Sequence, residues 1–445
     1  GVIVPTGIAT DATTAPFFAH LVEKQRLSAL VDFENRDAIF PGVHRSYKFS
    51  LLALAQSAKA ARLSFFLTSP TQMSDADRRF TLTPAEIAAI NPNTKTAPVF
   101  RSKADAELTK QIYSRVPVLI DEAKGEKGNP WGITVHTRIW HMAEDAEWFR
   151  TRVQLQDAEH TFDKIDCIAS GTNDRYAPLY EAKMVHQYDH RFGSYAARAN
   201  DRGYRVLPET SLQDHSNPDY EVTPYYWVPR AEVDSRLPAD WKFNWLLGWK
   251  DITAVTNERT CISAVIPRAG SADTFLLAFP KAAAPKIAVL YCNLNSLPLD
   301  YLARQKFGGL HLKLHVFKQL ICPAPESLQS GLLDFIVPRV LELTFTSHSM
   351  KPFAEDLGHT GAPFNWNEDR RALIRAELDA KIARIYGLTR DQLRYILDPA
   401  DIYGPSYPSE TFRILKSNDI AKYGEYRTAK LVLDAWDRLE RGELK

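Results

Sequence analysis

Short apolar runs dominate the first 70 residues, and each is long enough for one strand. The first, Gly1-Val-Ile-Val-Pro5, ends at a turn, which is typical of a buried parallel strand. Three further runs predict strands of the same sheet. These runs cover residues 27–33, 47–55 and 62–67.

A helix is predicted between the first two runs. Thr14 stands where a cap would be, and Phe17, Leu21 and Val22 recur at the spacing of one inward-facing helical side. Strands with an intervening helix indicate part of an α/β domain.

The pattern changes twice along the middle of the chain. Residues 69–127 are more polar and helical, with loops at Asn91-Pro-Asn93 and Gly125-Glu-Lys-Gly128. Residues 176–325 are rich in aromatic and β-branched side chains, which favour short strands such as 261–266 and 274–279. We expect a helical connector followed by a mixed β domain.

The last hundred residues predict capped helices. Asn367 precedes a helical apolar pattern that Gly387 closes, and Thr389-Arg-Asp-Gln392 is a capping box for the next helix. A final helix places Leu431, Ala435, Trp436 and Leu439 on one side. The predicted regions are therefore 1–70, 71–165, 166–345 and 346–445.

One segment of the predicted β domain is locally cationic. Between Asp300 and Glu326 there is no acidic residue. The alternation from Leu310 to Leu314 predicts a half-buried strand, with Leu310, Leu312 and Leu314 inside and the polar residues outside. Gly308-Gly309 before it allows a sharp turn or a close approach. The basic residues in and around this strand are Arg304, Lys306, His311, Lys313, His315 and Lys318.

Two interpretations of this segment stay open. Lys and Arg neutralise phosphates and release counterions, so the segment is a candidate DNA-binding surface. The alternative is an ordinary solvated strand with a basic side. Since the net charge of the chain is only +1, any nucleic-acid contact must be confined to a patch.

A second basic cluster lies upstream and is diluted by three carboxylates. We expect some of its members, Lys183 and Arg191 foremost, to contact phosphate. The cluster comprises Lys183, Arg191, Arg198, Arg202 and Arg205, with Glu181, Asp189 and Asp201 among them.

Length and composition limit the class of protein. A chain of 445 residues predicts two to four domains, and 45% hydrophobic with 24% charged residues is normal for a soluble protein. No membrane-spanning run or signal peptide is present, so a cytoplasmic protein without a membrane partner is expected. The four cysteines have no Cys-x-x-Cys spacing, which fits reduced thiols.

Nuclease and metal motifs are weak. Glu181-Ala-Lys183 and Glu122-Ala-Lys124 match the minimal Glu-x-Lys of metal-dependent nucleases, but such triplets are common by chance. His186 with His190, and His311 with His315, are four residues apart without a third ligand or a His-Glu-x-x-His motif. We predict no metal site.

Several longer motifs together resemble adenine-specific DNA methyltransferases of restriction-modification and phage-defence systems. The resemblance is to type IIG-like enzymes, with a TaqI-like specificity domain after the methyltransferase part, and it spans nearly the whole chain. The motifs are Val2-Ile-Val-Pro-Thr-Gly-Ile-Ala-Thr-Asp11, Asp32-Phe-Glu-Asn-Arg36, Phe40-Pro-Gly-Val-His-Arg-Ser-Tyr-Lys-Phe49, Pro178-Leu-Tyr-Glu-Ala-Lys-Met-Val-His-Gln-Tyr-Asp-His-Arg-Phe192, Asn257-Glu-Arg-Thr260 and the run from Asn293 through Leu320.

The resemblance implies the back half of a Rossmann-like methyltransferase sheet, then a target-recognition domain and a helical region. It places Phe40, His44 and Tyr47 beside an extruded base, where each could stack for about 1 to 3 kcal/mol. Thr6 and Gly7 would line the same pocket. The alternatives are core positions for Phe40 and Tyr47, and a plain turn at Thr6-Gly7.

Two elements that such an enzyme needs are missing. The first 120 residues contain only Gly1, Gly7 and Gly42, so they lack the Gly-rich turn that holds S-adenosylmethionine. No Pro-Pro occurs, so the (Asn/Asp/Ser)-Pro-Pro-(Tyr/Phe) catalytic tetrapeptide is also absent. We therefore expect a C-terminal portion without catalytic residues, which alone transfers no methyl group and binds the cofactor poorly.

Two functions fit these sequence features. In the first, the chain recognises a site in double-stranded DNA while an N-terminal half of the same protein methylates adenine, alongside possible restriction or helicase subunits. In the second, it is a non-enzymatic scaffold of a defence complex that binds RNA or a partner protein. A Gly-rich loop and an Asn-Pro-Pro-Tyr-type motif encoded directly upstream would decide for the first.

Overall fold

The structure is a computed structural model that describes residues 1–163, 166–169, 174–198, 203, 206–306 and 309–444. The expectations for Asp201, Arg202, Arg205 and Gly308 lie outside these residues.

A five-stranded sheet forms the first part of the chain, in the order β1-β3-β2-β4-β5. Strands β2 and β4 are parallel, and the other neighbours are antiparallel. Four of the strands match the four apolar runs. The strands are β1 (Val2–Pro5), β2 (Leu27–Glu34), β3 (Lys48–Leu54), β4 (Ala61–Leu67) and β5 (Phe80–Leu82).

The prediction that the first run is a buried parallel strand was wrong. Strand β1 pairs antiparallel with β3 at an edge of the sheet, and the side chains of Val2 and Ile3 are 50% and 57% exposed. An apolar run predicts a strand, but its place in the sheet depends on distant partners.

Two helices, α1 (Gly7–Thr10) and α2 (Ala15–Glu23), follow β1. Thr14 occupies the position before α2 as predicted, although its hydroxyl donates to the Gly7 carbonyl at 2.6 Å instead of capping α2. The inward position of Phe17 was wrong: Phe17 is 48% exposed and Phe18 is fully buried. Phe18 lies three and four residues before Leu21 and Val22, so it shares their buried side.

Helices α3 (Pro84–Ile90) and α4 (Lys103–Tyr113) confirm the helical character after the first sheet. Each begins at a capping box, with Thr83 and Ser102 as the capping residues. The hydroxyl of each cap accepts from a backbone N–H of the first turn, which fixes where the helix starts.

Two further sheets occupy the middle of the chain. One has the order β7-β11-β10-β9-β8, with β14 beside β10, and the other has the order β13-β12-β15-β6. The strands are β6 (Thr134–His136), β7 (Arg150–Thr151), β8 (His160–Phe162), β9 (Cys167–Ala169), β10 (Arg175–Tyr180), β11 (Tyr226–Pro229), β12 (Trp245–Lys250), β13 (Ser263–Pro267), β14 (Gly270–Ser271) and β15 (Phe275–Phe279), and the helices are α5 (Arg152–Asp157), α6 (Leu212–Ser216) and α7 (Arg230–Arg236).

The remaining chain is helical. The helices are α8 (Ala284–Asn295), α9 (Leu297–Arg304), α10 (Leu314–Phe317), α11 (Ser330–Thr344), α12 (Lys351–Asp356), α13 (Glu368–Ile385), α14 (Arg390–Leu397), α15 (Ala400–Tyr403), α16 (Arg413–Tyr423) and α17 (Arg427–Glu440). The predicted caps are confirmed: Asn367 caps α13, Gly387 follows it with a φ of +69°, and Thr389 with Gln392 forms a capping box. The mixed α/β fold with a helical C-terminal region is also confirmed.

The half-buried strand predicted from Leu310 to Leu314 was wrong. His311 makes one antiparallel bridge with Ile252, Leu310 is 65% exposed, and α10 begins at Leu314. The consecutive side chains of Val316 and Phe317 are both buried. A helical turn buries such neighbours together, whereas a strand points them to opposite faces.

One hydrophobic core connects residues from all four predicted regions. It includes Leu63 of β4, Leu119, Trp249 of β12 and Ile374 of α13. The four region boundaries stay predictions, since this core continues across them. Among the helices in the described ranges, none has both the length and the apolar content needed to cross a bilayer.

Candidate nucleic-acid interface

Three strand ends meet at one edge of the first sheet. Strands β1 and β2 both run antiparallel to β3, and β4 runs parallel to β2, so Pro5, Glu34 and Leu67 end at the same edge. Ligands of open α/β sheets bind at such carboxyl ends. This edge is therefore the candidate ligand-binding edge of the sheet.

A loop between β2 and β3, residues 35–47, is named the aromatic loop. Asn35 is fully buried and holds it: its amide nitrogen donates to the carbonyls of Phe40 and Val43 at 3.0 and 2.8 Å, and its amide oxygen accepts from the Phe40 N–H at 2.9 Å. The Asn35 N–H donates to the Tyr47 carbonyl at 2.9 Å. Because the buried Asn35 hydrogen-bonds to Phe40 and Val43 through its side chain and to Tyr47 through its backbone, the conformation of the loop is fixed.

The aromatic loop presents its rings to solvent. Phe40 is 40% exposed and Tyr47 is 64% exposed, so neither is a core residue. Phe40 rests edge-on against Phe49, with ring centroids 5.0 Å apart. His44 is exposed, with Nδ1 2.7 Å from Ser46 Oγ. Exposed aromatic faces on a fixed loop can stack on a base.

A buried carboxylate lies beneath this edge. Asp32 is 1% exposed and accepts hydrogen bonds from the Thr6 hydroxyl, from Ser50 Oγ at 3.1 Å and from the Phe66 N–H at 3.3 Å. Burial raises the pKa of Asp32, while these hydrogen bonds and Lys48 oppose the rise. Thr6 therefore anchors β1 to β2, and its hydroxyl is not free for a ligand.

Two cations beside the aromatic loop were missed from the sequence. The Lys48 ammonium and the Arg101 guanidinium lie 5.2 and 4.0 Å from the centre of the Phe66 ring. Phe66 has a φ of +60°, an uncommon backbone conformation for a bulky residue. Lys48 also pairs with Glu34 at 3.1 Å. Nothing in the sequence indicates that Arg101, 35 residues after Phe66, returns to this edge.

A cavity of about 740 Å³, named the cationic cavity, gathers four of the predicted DNA-binding residues. It lies where α10 and the bridge of His311 to Ile252 meet the loops around residues 93, 122 and 138. Its charged and histidine residues are Glu122, Arg138, Asp251, Asp273, His311, Lys313, His315 and Lys318.

Several charges in the cationic cavity are already paired. Lys318 Nζ lies 2.6 Å from a Glu122 carboxylate oxygen, and His311 Nδ1 lies 2.8 Å from Asp251 Oδ2. Burial, and secondarily Lys313, lowers the pKa of His315, which favours the neutral imidazole.

Two cations of the cationic cavity remain available. Lys313 and Arg138 are exposed, and neither forms an ion pair with any residue in the described ranges. Arg138 was not predicted, because it is distant in sequence from the segment between Asp300 and Glu326. Asp273 is the third carboxylate of the lining and is partly buried.

Arg304 and Lys306 do not belong to this surface. Arg304 is 8% exposed and donates to the carbonyls of Val255, Asn257, Glu258 and Thr411 at 2.8 to 2.9 Å.

Lys306 is 4% exposed and donates to the Ile90 carbonyl at 2.6 Å and to Asn91 Oδ1 at 2.8 Å. Burial lowers its pKa well below the usual range. Both side chains cross-link the fold, which corrects their prediction as phosphate contacts.

The upstream basic cluster is also partly internal. Arg191 is fully buried and donates to the carbonyls of Asn217, Tyr220, His215 and Thr346 at 2.9 to 3.0 Å, so it holds two loops together instead of facing DNA.

Lys183 is half-buried, 3.4 Å from Glu181 and 5.0 Å from the centre of the Tyr195 ring. The Arg198 guanidinium donates to the Val206 carbonyl at 3.4 Å. Among the members of this cluster that the structure describes, Lys183 and Arg198 retain partial contact with solvent.

Within the described ranges, no three His, Cys, Asp or Glu side chains converge as metal ligands. Glu181 accepts from the Tyr195 hydroxyl at 2.9 Å, and Glu122 pairs with Lys318. The glutamates of the two Glu-x-Lys triplets are therefore engaged by other side chains of the protein.

The residues at the carboxyl edge do not fit S-adenosylmethionine, the cofactor that the resemblance implies. A turn that holds such a cofactor needs glycines for close backbone approach. After β1 the turn is Pro5-Thr6-Gly7, and the Asp11 carboxylate lies where a Cβ at Gly7 would be. Gly7 is the one glycine of this turn, and the Thr6 hydroxyl is bound to Asp32.

No family model and no curated protein matches the chain. Among solved structures, the type IIG restriction endonuclease BpuSI is similar over 86% of this chain, with 10% sequence identity and a TM-score of 0.30. The chain spans 46% of the length of that protein.

Proposed function

We propose that this chain is the DNA target-recognition portion of a site-specific adenine methyltransferase of a restriction-modification or phage-defence system. The observation that carries the proposal is the aromatic loop, which Asn35 fixes at the carboxyl edge of the first sheet with Phe40, His44 and Tyr47 outward. Exposed rings lose water contact only when a partner covers them, and an extruded base offers a matching π face.

The cationic cavity supports the same proposal. Lys313 and Arg138 supply charge for phosphate, and Lys318 can exchange Glu122 for a phosphate oxygen at low cost, because a partly exposed ion pair is weak.

We further propose that S-adenosylmethionine and the catalytic residues come from an N-terminal half of the same protein. The exposed edge strand β1 offers unpaired backbone groups that a further strand can extend. Restriction or helicase subunits are additional proposed partners.

Replacing Phe40 and Tyr47 with Ala is expected to weaken binding to a duplex with a mismatched adenine by about 1 to 3 kcal/mol per lost stacking partner. Binding to a fully paired duplex without an extruded base should change much less. Fluorescence of a 2-aminopurine at the mismatch measures base extrusion directly. Val43→Ala, at a 42% exposed position of the same loop, is the matched control. Equal losses on both duplexes would contradict the base-pocket role.

Replacing Arg138, Lys313 and Lys318 with Ala is expected to weaken binding to any duplex. Each lost phosphate contact should reduce the slope of log affinity against log salt by about 0.9, so about 2.7 in all. Titration of a labelled duplex at several salt concentrations gives this slope. The control replaces Lys24, Lys59 and Arg413, three exposed cations outside the cavity, with Ala.

An unchanged slope in the cavity variant would mean that this surface is only solvated. Tighter binding to RNA than to duplex DNA in the unmodified chain would favour the scaffold function instead.

A further inference from the structure

The first sheet has one covered and one open face. On the covered face, Leu30, Leu52 and Leu63 are at most 3% exposed and belong to the core with Phe18. The opposite face contains the register-paired residues Ile3, Leu51 and Val31, together with Ala29 next to Arg62. Each of these four apolar residues is partly or largely exposed. We call this side of the sheet the open face.

A basic rim borders the open face. A cavity of about 530 Å³ has Ala29 and Val31 on its floor and Arg62, Arg79 and Lys103 around it. All three cations are exposed, and none pairs with a carboxylate in the part of the chain that the structure describes. The nearby carboxylate of Glu107 is engaged by Lys110 at 2.8 Å.

We propose that the open face docks an amphipathic helix with acidic flanks, supplied by a partner protein. An apolar sheet face is stable when another layer covers it, and a helix with one apolar stripe is a common cover. Glu or Asp beside that stripe would meet Arg62, Arg79 and Lys103. The basic rim lies beside β2 and β4, away from the β1 edge that the N-terminal half is proposed to extend.

Charge and polarity distinguish this occupant from two others. A phosphate backbone would satisfy the basic rim but would leave the apolar side chains of the open face, Ala29, Val31, Leu51 and Ile3, without a matching surface. A second copy related by a two-fold axis would bring two basic rims together, which opposes association.

The test uses the whole chain and two labelled helical peptides that share a Leu stripe, one flanked by Glu and the other by Lys. Fluorescence anisotropy should show saturable binding of the Glu-flanked peptide and at least about tenfold weaker binding of the Lys-flanked peptide. In the variant Arg62→Glu, Arg79→Glu, Lys103→Glu this preference should reverse. The control variant, Lys24→Glu, Lys59→Glu, Arg413→Glu, makes the same change in net charge and should keep the original preference.

A reversed preference also shows that the variant is folded, because a misfolded variant would bind neither peptide. Equal binding of both peptides by the unmodified chain, or binding of neither, would overturn the proposal. Displacement of the Glu-flanked peptide by duplex DNA would assign the face to nucleic acid. Sedimentation that shows a dimer dissociated by the rim variant would assign it to a second copy.

Discussion

Arg304→Ala is expected to lower the free energy of unfolding by about 3–5 kcal/mol, far more than the loss of an exposed cation. The Arg304 guanidinium donates to four backbone carbonyls and lies 3.4 Å from Asp300. Without it, those four carbonyls lose this donor, and Arg259 is the counter-ion that Asp300 keeps among the described residues.

Arg304→Lys should recover little of this loss, because one ammonium cannot reach four carbonyls in the arrangement that a planar guanidinium spans. Lys313→Ala is the matched control, since Lys313 is exposed in the same segment and its removal should change stability by at most about 0.5 kcal/mol. Urea unfolding followed by circular dichroism measures both. A stable Arg304→Ala protein with weakened DNA binding would instead restore Arg304 as a phosphate contact.

Glu221→Gln and His190→Gln are expected to change the pH dependence of stability in opposite directions. Glu221 Oε2 and His190 Nε2 are 3.8 Å apart, and His190 Nε2 is also within 3.1 Å of Ser347 and Ser349. Burial raises the pKa of Glu221 to about 7, although Ser349 and Arg191 oppose this. Burial, reinforced by Arg191, lowers the pKa of His190 to about 3.

The two groups have opposite linkage to folding. Folding raises the pKa of Glu221 from 4.5 to about 7. Its contribution to the free energy of unfolding is therefore fully present below pH 4.5 and is lost as the pH rises through 7. The folded pKa of His190 is lowered from 6.5, so its contribution is present above pH 6.5 and is lost as the pH falls toward 3. Between pH 6.5 and 4.5 the two contributions nearly cancel in the unmodified protein.

Each substitution removes one of these two pH-dependent contributions to stability. Relative to the unmodified protein, Glu221→Gln should lose about 1.4 kcal/mol per pH unit on acidification from pH 7 to 4.5. His190→Gln should gain about as much per unit below pH 6.5. The double variant should follow the unmodified protein between pH 6.5 and 4.5. The midpoint of urea unfolding, measured for all four proteins across this pH range, tests the prediction. Parallel curves of midpoint against pH would refute the linkage.

Local sequence signals were enough to predict many of the helices and strands. The apolar runs at 27–33 and 62–67 became β2 and β4, and Asn367 and Thr389 with Gln392 cap helices as predicted. Such signals depend on neighbours within a few residues, so they survive whatever the tertiary fold is. The run at Val2–Pro5 predicted a strand correctly but misjudged its burial, because burial depends on β3 and on what else covers the sheet.

The features of the candidate site also separate into those that the sequence predicts and those that depend on the tertiary structure. The sequence by itself determined that residues 40–47 carry aromatic side chains and that the segment after Asp300 is free of acids. Only the tertiary structure decided that Phe40 and Tyr47 are exposed, that Lys313 is available beside Arg138, and that Arg191, Arg304 and Lys306 are internal. The physical reason is that a positive charge has the same signature in sequence whether it meets solvent or buried carbonyls, and its partners lie tens to hundreds of residues away.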